Sequence, residues 1–171
     1  MQMTFPTARH DRLLTVDTSK AAWVKDALAP GIDVCPVFLD AQNGIWGLRA
    51  RFAPGTTLPK HLHTGTVHMF TLSGSWNYVE HPEQPQTAGC YLYEPGGSLH
   101  QFMTPSSNSE ATDTFMLVFG ANVNFDAEGN FIGMADAGLI EMALNKAAGA
   151  QGLSPLNYIR GLGGAYASAT N

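Results

Sequence analysis

Three histidines of this chain are spaced so that they can share one metal ion. In His61-Leu62-His63 the imidazoles stand two residues apart. On a β-strand that spacing puts both on one face, because side chains alternate with a period of two. On a helix the same pair would diverge. His100 follows the turn sequence Pro95-Gly96-Gly97-Ser98-Leu99, so a separate strand would deliver a third imidazole. Three neutral nitrogen ligands leave further positions of the ion open for water, substrate or dioxygen. The expected chemistry is that of a metalloenzyme, with His61, His63 and His100 as its metal ligands.

Such a site needs strands to carry it, and strand signals recur along the chain. Apolar or alternating runs cover 34–39, 45–52, 58–63, 67–73, 75–80, 90–93, 99–103, 114–119, 122–125 and 130–132, with Gly, Pro, Asn or Asp between most of them. The 18 glycines and 10 prolines suit a chain that turns often. An all-β barrel or sandwich follows. Residues 67–73 and 75–80 read as a tight hairpin at Gly74, and 122–132 as a second one. A short helix is expected around 21–28. After the strands, Leu139, Ile140, Ala143, Leu144 and Ala147 repeat with helical period behind Asp136 as N-cap, with Gly149 as the stop. This helix should pack outside the barrel or at a subunit contact. The expected organisation is one domain: an N-terminal arm (1–31), a barrel (32–134), and a C-terminal helix and tail (135–171).

Composition narrows the partners. The formal charge of -5, with only nine Lys and Arg, gives no basic stripe for nucleic acid. No run approaches the roughly 18 apolar residues of a membrane span, and the first residues lack a signal-peptide core. Cys35 and Cys90 lie far apart without C-x-x-C spacing, which reads as two reduced thiols and a cytoplasmic location. Apolar strand faces on both sides of a barrel imply a homodimer or homotetramer.

The two histidine segments resemble the two cupin motifs. The first is Gly55, five residues, His61-Leu62-His63, then Gly74. The second is Gly89, five residues, Pro95-Gly96-Gly97, two residues, His100, with Thr104 in place of the expected asparagine. The resemblance covers roughly residues 32–120 and implies a double-stranded β-helix (jelly-roll) barrel holding a metal in its mouth. Within that superfamily, His61-Leu62-His63-Thr64-Gly65, Leu72-Ser73-Gly74-Ser75-Trp76-Asn77-Tyr78 and Tyr93-Glu94-Pro95-Gly96 are similar to the 2,4'-dihydroxyacetophenone dioxygenases. Acetylacetone dioxygenase shares the H-x-H-T-G opening. One departure concerns the motif glutamate: counting back from Gly74 puts Val67 in its place, whereas counting forward from His63 puts His68 there. Three histidines are the expected set, with His68 as the alternative fourth ligand.

The resemblance implies a non-haem Fe(II) dioxygenase that cleaves a C–C bond of a chelating hydroxyketone, giving a carboxylic acid and formate. Fe(II) is the expected cofactor, with Zn or Ni as alternative occupants, and the partners are a small aromatic or dicarbonyl substrate and dioxygen. Glu80 and Glu94 are the candidate catalytic carboxylates, able to steer a ligand histidine or accept a substrate proton. Trp76 and Tyr78 share a strand face and could wall an aromatic pocket. His81 and His10 read as exposed. The rival readings are a dioxygenase acting on a β-diketone and a non-enzymatic zinc-binding regulatory cupin.

Overall fold

Alternation in β2 (Ile45–Phe52) sends Trp46, Leu48, Ala50 and Phe52 into the interior and leaves Arg49 and Arg51 on the outer face. There both arginines pair with Asp113, and Trp23 of the N-terminal arm lies over the Arg51 guanidinium at 3.8 Å. The computed structural model describes residues 13–161 and the backbone of Ala165–Tyr166. The same two-residue period repeats in β4 (Val67–Ser73), where Val67, Met69 and Thr71 point inward and His68 and Phe70 outward. In β9 (Thr112–Phe119), Thr112, Thr114 and Val118 are buried.

The remaining strands are β1 (Ile32–Asp40), β3 (Lys60–His63), β5 (Ser75–Tyr78), β6 (Gln86–Thr87), β7 (Tyr91–Glu94), β8 (Phe102–Met103), β10 (Asn122–Phe125) and β11 (Phe131–Ala135). After α1 (Ala137–Ala150) come β12 (Ile159–Arg160) and β13 (Ala165–Tyr166). One large sheet runs β13-β12-β1-β2-β9-β4-β7. Facing it are two small sheets, β11-β10-β3 and β6-β5-β8. The all-β jelly-roll barrel with a C-terminal helix is thus the fold observed. Its interior packs Phe102 between Phe52 and Trp76, with ring centroids 4.4 and 4.7 Å away respectively. Each such buried ring contributes about 1.5–3 kcal/mol over an exposed one.

Three local expectations are corrected. Gly74 does not close a hairpin: β4 pairs with β7 and β9, while β5 pairs with β6 and β8. The chain instead turns a corner from the large sheet into a small one. Gly74 has φ +77, and a β-carbon there would lie 2.8 Å from the Thr112 backbone. Residues 21–28 form no helix; Val24 bridges Val34 instead, so this part of the arm adds a short extended contact beside β1. The C-terminal helix starts as expected, with the Asp136 side chain accepting from Leu139 N at 2.8 Å, but it runs through Gly149 to Ala150. Nor is it only an outer layer, because Ile140 is buried and lines the internal cavity. The hairpin of β10 and β11 stands as read.

Candidate metal centre

β3 carries His61 and His63 inward, leaving Leu62 on the other side of the strand. His100 meets β3 through a backbone bridge: His61 N donates to His100 O at 2.8 Å, and His100 N to His61 O at 2.9 Å. The Pro-Gly-Gly turn that delivers it docks tightly. Gly97 N donates to His63 O at 2.7 Å, and a β-carbon on Gly96 would come within 3.1 Å of Gly65. A side chain on Gly65 would in turn collide with the Phe119 carbonyl. The glycines of H-T-G and P-G-G are therefore what let the two histidine-bearing segments touch.

The result is a cluster of three buried imidazoles whose ligand nitrogens all lie within 4.8 Å of one another. His61 Nε2 and His100 Nε2 are 3.2 Å apart. Two nitrogens each about 2.1 Å from one ion, at roughly tetrahedral or right angles, would have about that separation. Burial holds the rings neutral: it pushes His63 down to about 3 and His100 to about 4, and lowers His61 as well. Neutral imidazole is the form that ligates a cation. His61 Nδ1 faces Pro59 O at 2.8 Å, so a proton on Nδ1 leaves Nε2 as the free donor atom.

Glu94 completes the group from β7. Its Oε1 lies 3.3 Å from His100 Nε2 and 3.9 Å from His63 Nε2, while its Oε2 accepts the Tyr78 hydroxyl at 2.7 Å. Burial raises this carboxyl to about 7, against the lowering effect of the Tyr78 bond. Burial of the Tyr78 hydroxyl and the carboxylate beside it raise that hydroxyl in turn. Val67 is the cross-strand partner of Glu94 in the β4–β7 register. The position where the motif pattern expects glutamate is thus apolar, and an acid reaches the site from the neighbouring strand instead.

The other candidates separate cleanly. Glu80 is exposed, accepts from Gln101 N at 2.9 Å, and is not among the cavity-lining residues. His68 faces outward and bonds the Tyr91 hydroxyl at 2.7 Å, on the strand face opposite Val67. Trp76 is fully buried in the core with its indole N–H on Thr71, so only Tyr78 of that pair reaches the cavity. His81 is exposed beside Glu83, and His10 lies outside the described residues. Thr104, in the asparagine position of the second motif, is wholly buried; its hydroxyl donates to Ala53 O and accepts from Thr56 N.

A cavity of about 320 Å³ opens from the imidazoles into the barrel. Trp46, Leu48, Phe52, Met69, Phe102 and Met116 give it apolar walls. Asn122 and Asn124 of β10 add polar groups that the sequence reading passed over. Their signal was present: Asn-x-Asn has the same two-residue spacing as His-x-His.

The ChrR cupin-like domain family matches residues 11–122. The chain belongs to that family. A cupin-fold protein of unknown function from Ralstonia eutropha JMP134 is 46% identical, with a TM-score of 0.85 and coverage of 96% of this chain and 99% of that one. An RmlC-like cupin from the same organism is 25% identical over 84% of this chain and 92% of its own, with a TM-score of 0.77. An acetylacetone dioxygenase from Acinetobacter johnsonii shares the fold at 16% identity and a TM-score of 0.67, covering 86% and 99%. No curated protein matches the chain. In this cupin, the donor set and its orphaned acid suit a divalent ion: Glu94 Oε1 is buried with no hydrogen-bond partner, facing two imidazole nitrogens. No helix among the described residues is long and apolar enough to cross a membrane.

Proposed function

We propose that this cupin is a non-haem Fe(II) dioxygenase that cleaves the C–C bond of a small chelating hydroxyketone such as 2,4'-dihydroxyacetophenone. The observation that carries the reading is the three-imidazole cluster at the head of an apolar internal cavity, with the buried Glu94 carboxyl beside it. His61, His63 and His100 hold the metal. Iron, when bound, supplies a positive charge for a pair of substrate oxygens and an electron-transfer partner for dioxygen.

The chain's own residues do the rest. The apolar walls bind a substrate ring and exclude water, and at about 320 Å³ the cavity is near the small end of ligand sites. Three neutral ligands leave the full cationic charge in place, which favours a substrate that chelates as an anion. Glu94 Oε1 is the group placed to take the hydroxyl proton as that oxygen approaches the imidazoles, and the Tyr78 hydroxyl keeps the carboxyl oriented through Oε2. The reaction balances as hydroxyketone plus dioxygen giving a carboxylic acid plus formate, with no external reductant. A β-diketone would chelate in the same way, and the fold likeness to an acetylacetone dioxygenase keeps it as the second substrate class.

The test is oxygen uptake by anaerobically Fe(II)-loaded protein offered 2,4'-dihydroxyacetophenone and acetylacetone in parallel. Uptake with one of them that disappears in H61A and H100A supports the reading and selects the substrate. Absence of uptake with both, together with tight zinc retention, would refute it in favour of a metal-bearing regulatory cupin.

A further inference from the structure

Among the described residues, three buried side-chain atoms lack a hydrogen-bond partner: Glu94 Oε1, His63 Nδ1 and Asn122 Oδ1. All three belong to residues that line the same cavity. Glu94 faces the imidazoles. The other two atoms are complementary to each other.

For His63 to present Nε2 to a cation, its proton must sit on Nδ1 and needs a buried acceptor. His61 has one in Pro59 O. His63 has none in place. Directly across the β3–β10 pair stands Asn122, registered opposite His63. Opposed residues of an antiparallel pair have Cβ atoms about 4.5–5.5 Å apart on one face, so atoms further out on the two side chains are within reach of a direct bond or one bridging water. The Asn122 amide is already turned for this role. Its Nδ2 donates to Asn124 Oδ1 at 2.9 Å, which leaves Oδ1 as its unused acceptor.

We propose that Asn122 is a positioning residue for His63: its Oδ1 accepts the Nδ1 proton, directly or through a single buried water, and fixes the tautomer that offers Nε2 to the metal. The proposal rests on the three-histidine metal site. Leaving a buried N–H and a buried C=O both unmade is costly, whereas pairing them satisfies two groups at once.

Competition with a chelator for Zn(II) or Co(II) tests it in wild type, N122L and N122D. Leucine matches the shape of asparagine without an acceptor, and aspartate restores one. The expected result is a 10–100-fold loss of metal affinity in N122L, the range seen when an outer partner of a ligand histidine is removed. N122D should bind within a few fold of wild type, and metal-free N122L should still unfold in one cooperative transition, which shows that it is folded. Equal binding by all three proteins overturns the proposal, as does an equal loss in N122L and N122D. A wild-type protein that binds no metal overturns the metal site itself, a distinct failure. If N122L does not fold, ring-nitrogen NMR of Zn-loaded wild type decides. A slowly exchanging Nδ1–H on His63 supports the assignment, and a freely exchanging one refutes it.

Discussion

Replacing Glu94 with glutamine should stabilise the metal-free protein at alkaline pH and leave it almost unchanged at acid pH. The carboxyl is 5% exposed and its pKa rises from 4.5 to about 7, chiefly through burial. Below pH 4.5 it is protonated in both the folded and unfolded chains and carries no penalty. Between 4.5 and 7 the folded state keeps a proton that the unfolded state releases, so stability falls as pH rises, and above 7 the loss is complete. The rise from 4.5 to about 7, at 1.36 kcal/mol for each factor of ten in proton affinity, is about 3 kcal/mol. For a chain of this size that is a rise in Tm of about 6–12 °C. The glutamine amide would keep an acceptor for the Tyr78 hydroxyl, so the substitution isolates the charge. Thermal unfolding of chelator-treated wild type and E94Q at pH 5 and pH 8 makes the comparison, and taking the difference cancels every other titrating group. Added zinc should narrow or reverse the pH 8 gap, because a cation beside the carboxylate favours its charged form. A Tm gap of the same size at both pH values would refute the buried-acid argument.

Two further outcomes follow from the same geometry. The three depressed imidazoles stay neutral in the fold but take up protons in the unfolded chain below about pH 6.5, so stability is lost as pH falls through that value. Urea unfolding of metal-free protein should therefore show a steep loss between pH 6.5 and 5, and H63Q should reduce the slope by about 1.4 kcal/mol per pH unit; an unchanged slope contradicts the assignment. T104V removes a buried hydroxyl that both donates to Ala53 O and accepts from Thr56 N. It should cost about 2–4 kcal/mol in denaturant unfolding, and a loss below about 0.5 kcal/mol would show that the 53–56 turn is held by other contacts.

The strand character of β2 and β4 was legible because inward side chains alternate with outward ones along most of each strand, and the histidine pair was legible for the same reason. Backbone pairing was harder. Residues 67–73 and 75–78 carry adjacent strand signals, yet nothing local says that Gly74 turns a corner between sheets. That depends on the Thr112 backbone packed against it from far along the chain. The helical pattern at 21–28 lost to the bridge between Val24 and Val34, a contact that only the folded barrel supplies. Glu94 was visible as a nearby acid, but its standing across from Val67 is a matter of register, which composition does not encode. The asparagines of β10 escaped notice because amides without charge are ordinary in strands until their neighbours are known.

The cavity walls and the apolar core are the same side chains. Trp46, Leu48, Ala50, Phe52, Val67 and Phe102 belong at once to the main hydrophobic cluster and to the lining of the space above the imidazoles. A substrate bound as proposed would stand where a large core residue would otherwise be, and would finish the interior of the barrel. Selectivity and robustness are drawn from one set of positions in such a molecule. Enlarging the chamber for a bulkier compound would thin the barrel's own support, and filling it with a bigger side chain would harden the protein while closing it to any ligand. Compensating changes for a new substrate should thus arise on the outer faces of the strands, away from the cavity they make room for.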